Sequence, residues 1–184
     1  VWTAPVTTMT LTVAAGFASL NAGLSTASAA VAALKTYRSF PIYGTSITYA
    51  QVMAQFTQLP VTNNVCEIGF GISTGTAVPT DGVFFRVFSD GTFRGVQNNA
   101  GTEIQTSALD FSALVGMNTT RHFIVGIADD FCEFWIDEVL VARIARQTAA
   151  PSIVASQNLP VMIRNYNSGV TAAAQVLKVG YVNI

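Results

Sequence analysis

The residues able to act as acid, base, nucleophile or metal ligand are few and scattered in this sequence. His122 is the only histidine, so a Ser-His-Asp or Cys-His arrangement would have to use it. It follows Arg121 at the start of an alternating run, on the non-apolar parity, and no Gly-x-Ser-x-Gly turn accompanies it. An edge or surface imidazole is the better account. Two acidic pairs, Asp129-Asp130 and Asp137-Glu138, are the next candidates. Carboxyl groups about 5–9.5 Å apart cleave glycosidic bonds, yet Asp and Glu are also ordinary turn residues, and both pairs separate alternating runs. Asp81, Asp90 and Asp110 carry no recognisable calcium loop. No glycine-rich segment joins a strand to a helix as a phosphate site requires. Asn118-Thr119-Thr120 matches a glycosylation sequon, a pattern common by chance.

Cys66 and Cys132 are the only cysteines. With no Cys-x-x-Cys and no histidine close by, they do not read as zinc ligands. Both fall on the core parity of their runs, where buried apolar thiols belong. A disulfide between them needs Cα atoms within about 7 Å, which spacing does not settle. The expectation is therefore no catalytic residue, no metal site and no cofactor: a protein that is not an enzyme.

The second faces of the strands say more. One parity gives a core of Phe85 and Val87, of Phe123, Val125 and Ile127, of Phe134 and Ile136, and of Leu177, Val179 and Tyr181. A half-solvated antiparallel sheet places polar residues at the alternate positions. Here those positions hold Phe84 and Phe88 around Arg86, Trp135 between Glu133 and Asp137, and Tyr166 on the parity of Arg164. Three readings stand: a second small core under a loop, a subunit contact of the aromatic and arginine kind, or a carbohydrate platform. Phe84, Arg86, Phe88, Trp135, Arg164 and Tyr166 are the candidate interface or glycan-platform residues.

The elements that would position them are strands. Alternation runs over 48–57, 65–73, 83–89, 92–97, 102–107, 121–128, 131–136, 139–145, 159–166 and 176–184. Asp81-Gly82 and Asp90-Gly91 read as tight hairpin turns, because a type I′ turn needs positive φ. Asn98-Asn99-Ala100-Gly101 reads as another turn, and 110–120 as a loop. The Ala-rich stretch 16–34 permits a helix, but scattered Gly, Ser, Thr and Asn favour strands and loop. About ten short strands predict an all-β, antiparallel β-sandwich in one domain over residues 17–184. Residues 1–16, short, neutral and Thr-rich, read as an extended N-terminal arm.

Composition narrows the partners. The chain has nine basic and ten acidic residues among 184, a net charge of −1, where about a quarter charged is usual. Phosphate-neutralising cations are lacking, which argues against nucleic acid. No run approaches the roughly 18 apolar residues of a membrane span, and no basic segment precedes an apolar one at the N-terminus. So few charges cover a free surface poorly, and subunit packing is the natural remedy.

Five segments carry a family resemblance. They are Asp81-Gly82-Val83-Phe84-Phe85-Arg86, Ser89-Asp90-Gly91-Thr92-Phe93-Arg94, the run from Phe134 to Ala142, Leu159-Pro160-Val161, and Leu177-Lys178-Val179-Gly180-Tyr181-Val182. In order and spacing, over residues 65–184, they resemble the concanavalin-like (laminin-G-like) jelly rolls of tailed-bacteriophage virion proteins. In such domains the Phe-x-Ile-Asp-x-x-Leu-Val run is a hairpin usually turned by Asp-Gly. Here the turn reads Asp137-Glu138. The resemblance implies a non-enzymatic structural module, often a homotrimer, that decorates capsids, builds fibres or binds host-surface glycans. It implies other virion proteins as partners and the virion, assembled in the bacterial cytoplasm, as location. A capsid-decorating or fibre subunit is the leading expectation, and a lectin-like receptor-binding module the alternative.

Overall fold

Period-two alternation decides which side of each strand is buried. In the run Thr48–Phe56, Ala50, Val52, Ala54 and Phe56 are buried while Gln51, Met53 and Gln55 between them are half-exposed. The computed structural model describes residues 2–3, 6–7, 9–21, 29–42, 46–58, 61–88, 90, 92–146, 150, 152–170 and 175–184. The first strands along the chain are β1 (Trp2–Thr3), β2 (Val6–Thr7), β3 (Thr10–Ala14), β4 (Phe17–Asn21), β5 (Val31–Thr36) and β6 (Phe40–Pro41). Next come β7 (Thr48–Phe56), β8 (Asn64–Ile72), β9 (Asp81–Val87), β10 (Phe93–Asn99) and β11 (Thr102–Gln105), then a one-turn helix α1 (Phe111–Leu114). The chain closes with β12 (Thr120–Ile127), β13 (Phe131–Ile136), β14 (Val139–Ala145), β15 (Asn158–Leu159), β16 (Val161–Asn167) and β17 (Val176–Asn183).

Two antiparallel sheets face each other. The first has the order β1-β5-β16-β8-β9-β10-β11, with β2 also on β5; the second runs β14-β13-β12-β7-β17-β4-β3. Between them six phenylalanines interlock. Phe85 meets Phe93, Phe123 and Phe134 at ring centroids of 5.4, 5.5 and 5.2 Å, and Phe56 meets Phe111 at 5.2 Å. Gly95 makes room for this cluster, because a Cβ there would lie 2.7 Å from the Phe134 ring. This is the all-β antiparallel sandwich that the alternation predicts. The 16–34 stretch, expected as strands and loop, supplies β4 and the start of β5, and its residues 22–28 lie outside the described residues.

Local readings fare unevenly. Asp81-Gly82 is not a turn: both residues lie inside β9, paired with Ile72 and Gly71. The Asp81 carboxylate instead accepts the Ala100 and Ala155 N–H groups at 3.0 Å each and the Ser156 hydroxyl at 2.8 Å. Three donors from two distant segments outweigh the local turn preference. Gly82 serves close strand approach, since a Cβ would sit 2.5 Å from the Phe70 carbonyl oxygen. Asp90 does turn the chain, accepting the Thr92 N–H and hydroxyl at 2.9 and 2.7 Å; Gly91 lies outside the described residues. Ala100 and Gly101 take positive φ between β10 and β11, as a two-residue turn requires.

The 110–120 loop contains α1, capped where the Asp110 carboxylate accepts the Ala113 N–H at 3.0 Å. Such a cap contributes about 1 kcal/mol, and it seats Phe111 in the aromatic core. Of residues 1–16, expected as an arm, the described ones form β1 and β2 on β5 and β3 on β4. Cys66 and Cys132 are free and buried. Burial, then the nearby Glu67, pushes the Cys66 thiol far up; burial does the same to Cys132. Neither is a nucleophile at neutral pH.

Candidate functional site

The six candidate residues do not share one face. Phe84, Arg86, Phe88, Arg164 and Tyr166 belong to the outer face of the first sheet, and Trp135 to the outer face of the second. On the first sheet, register puts Glu67 of β8 directly between Arg86 of β9 and Arg164 of β16. Its carboxylate accepts Arg86 Nε at 2.8 Å and Arg164 Nε at 2.7 Å. Arg86 Nη1 reaches Glu103 at 2.8 Å. Arg164 Nη1 donates to the carbonyls of Gly75 and Ala77 at 2.8 and 3.0 Å, so the 73–80 segment closes over it.

The aromatics are part of the same closure. The Arg86 guanidinium lies 5.0 Å from the Phe84 ring and 4.9 Å from the Phe88 ring, and Arg164 lies 4.5 Å from Tyr166. Glu67 and Arg164 are each 1% exposed, Tyr166 4% and Arg86 5%. Burial acts to discharge Arg86, but Glu67 and then Glu103 more than offset it and hold the guanidinium above its ordinary range. Burial, then Glu67, pushes the Tyr166 phenol up. Two acids and two arginines balance. On this sheet the expected platform gives way to a second, closed core, because Glu67 and Glu103 pair the two arginines and the 73–80 backbone caps Arg164, although Arg86 Nη2 is buried without a hydrogen-bond partner.

The second sheet is different. Its outer face is laid out by the register of β17, β7, β12 and β13. One row reads Asn183, Gln51, Ile124, Trp135; the next reads Tyr49, Gly126, Glu133; a third reads Tyr181, Met53, His122. Tyr49, Gln51, Ile124, Trp135 and Glu138 line an open groove of about 250 Å³. Gly126 allows it, since a Cβ there would sit 2.7 Å from the Tyr49 ring. Trp135 is half-buried, and its indole Nε1 donates to Glu133 at 3.3 Å. Glu133 in turn pairs with Arg143 at 3.7 Å.

The Asp137-Glu138 turn forms the end of this face. Ile136 pairs with Val139, so the hairpin is closed by two residues, both at positive φ (49° and 66°). The tight turn therefore forms without the usual glycine. Asp137 is tied down: its carboxylate accepts the His122 N–H at 2.9 Å and meets Arg121 at 2.8 Å. His122 sits half-buried on the outer row, as its parity implied. Among the described residues no group of three or more His, Cys, Asp or Glu is placed to hold a metal, and no helix is long and apolar enough to cross a membrane.

Sequence reasoning named Trp135, which lines this groove, and did not name the residues beside it as candidates. Tyr49, Gln51 and Ile124 occupy non-core positions of strands whose core was read correctly, and the glycine opposite an aromatic at Gly126 was the available signal. Aromatic faces flanked by amides and carboxylates suit sugars, whose C–H faces stack and whose hydroxyls need partners.

No protein-family model matches the chain, and no curated protein sequence matches it. Solved structures do. A Bacillus licheniformis β-glucanase is similar with a TM-score of 0.70 at 9% identity, covering 98% of this chain and 90% of that one. The carbohydrate-binding module CBM66 from Bacillus subtilis gives 0.58 at 9%, over 98% and 92%. The carbohydrate recognition domain of Emp47p gives 0.62 at 13%, over 98% and 86%. At these identities the likeness is one of fold. The chain has the concanavalin-like jelly-roll sandwich.

One expectation is overturned. The chain was expected not to be an enzyme, yet its structural neighbours include glycoside hydrolases and glucanases. The fold is compatible with catalysis, and Glu133, Asp137 and Glu138 stand on or beside the Trp135 face.

Proposed function

We propose that the outer face of the second sheet binds carbohydrate. The observation that carries this reading is the groove in which Tyr49 and Trp135 flank Ile124, with Gln51 and Glu138 as polar lining. In it Trp135 is the stacking surface, Tyr49 the second apolar wall and Gln51 a two-way hydrogen-bonding group. Neighbours that are a carbohydrate-binding module and a carbohydrate recognition domain support it. A bound sugar would lie beside carboxylates, so turnover belongs in the same assay. The test is titration of gluco-, manno- and galacto-hexaoses into the protein by calorimetry, with chromatography for cleavage products. Binding of at least one is expected, with Trp135→Ala weakening it about tenfold or more. No binding, or undiminished binding by Trp135→Ala, contradicts the reading.

A finer reading places this module on the virion of a tailed phage, as a homotrimer in contact with other virion proteins and, through the groove, with host glycans. The motif order over 65–184 supports it, as do exposed Val13, Val139, Leu140 and Tyr181 on a chain with so few charges. Light scattering on the purified chain tests the oligomer. A trimer fits, and a 19.5 kDa monomer removes it.

A further inference from the structure

We propose that Glu138 sets the ligand class of the groove: uncharged sugars presenting adjacent hydroxyls, with uronic, sialylated and sulfated sugars excluded. This rests on the groove being the carbohydrate site. The starting point is a backbone outlier. Glu138 holds φ 66° at the second position of a two-residue turn, directly after Asp137 at 49°, where glycine is the unstrained choice. Strain of this kind persists where the surroundings enforce it and tends to mark functional sites.

For Asp137 the surroundings are visible, since its carboxylate takes the His122 N–H and the Arg121 guanidinium. For the Glu138 side chain they are not. Among the described residues no donor or cation meets its side chain, which is exposed and lines the groove beside Trp135. The Ile136–Val139 pairing and the tethered Asp137 impose the turn on the backbone of both residues, while the Glu138 side chain itself makes no contact among the described residues. What the turn achieves is placement of a carboxylate at the edge of an aromatic floor.

Electrostatics then set the class. Arg143 is paired with Glu133 and Arg121 with Asp137, so the Glu138 charge faces the groove uncompensated. A carboxylate only accepts hydrogen bonds, and its two oxygens match two neighbouring hydroxyl donors. An anionic sugar would meet a like charge, and the two arginines at this margin of the face are already paired.

The experiment uses the neutral hexaose the wild type binds best, hexagalacturonate as the acidic probe, and two variants. Glu138→Gly relieves the turn and is expected to raise Tm by about 2–4 °C while weakening the neutral hexaose about tenfold or more. Glu138→Gln keeps the backbone, and it is expected to bring the affinities for neutral and acidic probes closer together by about fivefold or more. Unchanged hexaose affinity in Glu138→Gly overturns the proposal, as does wild-type protein that takes hexagalacturonate equally well. Loss of binding in Trp135→Ala but not in Glu138→Gly sinks this inference and spares the groove reading. A wild type that binds no sugar takes both away.

Discussion

The outer faces of the two sheets carry similar residue types and end in opposite states. On the first sheet, Phe84, Phe88 and Tyr166 alternate in register with Arg86 and Arg164; on the second, Trp135 and Tyr49 alternate with Glu133 and Gln51. The first face closes because one acid, Glu67, stands directly across from an arginine on each neighbouring strand, and Arg164 reaches up to backbone carbonyls of the 73–80 segment. The second face lacks such a keystone. Its ion pairs sit at the margin, Glu133 with Arg143 and Asp137 with Arg121, and the middle stays open as a groove. An aromatic stripe on a second sheet face is thus ambiguous until the charges across it are paired off.

The largest break in this comparison comes from Glu67→Ala. It leaves two buried guanidinium groups without their shared acid, and the expected cost is about 3–5 kcal/mol in denaturant unfolding. Replacing the whole set (Glu67→Leu, Arg86→Met, Arg164→Met) is expected to lie near neutral, because the desolvation cost leaves together with the attraction. If the single and triple variants lose equally, the closed face is held by packing alone. On the other face, Trp135→Ala is expected to cost only about 1–2 kcal/mol, since the side chain is half-buried and partly solvated already. Equal losses at Glu67 and Trp135 would erase the distinction between the faces.

Between the faces, Cys66 and Cys132 are expected to resist a thiol reagent in native protein and to react, two per chain, once it is unfolded. Reaction at the native rate of an exposed thiol would mean that the core is not closed. The smallest effect is at Asp90, whose carboxyl is held below its ordinary range first by the Thr92 N–H, then by the Thr92 hydroxyl. A depressed folded-state pKa stabilises above the ordinary aspartate range and is lost as pH falls through the lowered value. The Tm gap between wild type and Asp90→Ala is therefore expected to be small at pH 7 and to close in strong acid.

The sandwich was legible because its strands are long, alternating and bounded by turn residues. From β7 onward the cores of the main strands were readable from parity alone except at Tyr181, expected in the core with Leu177 and Val179, which a register shift after Val179 turns out to solvent. What escaped was long-range pairing. Asp81-Gly82 has the local chemistry of a turn, but its carboxylate is claimed by donors near residues 100 and 155. Asp137-Glu138 lacks turn glycine yet turns tightly, because His122 and Arg121 fasten Asp137 from the neighbouring strand. The same limit merged Trp135 with Phe84 and Arg86: parity tells which side of a strand a residue occupies, and only strand order tells which sheet. Catalysis was set aside because the single histidine had no partners and the acidic pairs Asp129-Asp130 and Asp137-Glu138 read as turn residues, whereas this fold also carries glycoside hydrolases.

The central claim is that the open face binds sugar and the closed face does not. Its most direct test is one calorimetric titration series with the neutral hexaoses against wild type, Trp135→Ala and Phe88→Ala. The account predicts binding by wild type and Phe88→Ala and a loss of about tenfold or more in Trp135→Ala. Binding that survives in Trp135→Ala, or fails in Phe88→Ala while the fold is intact, would contradict it.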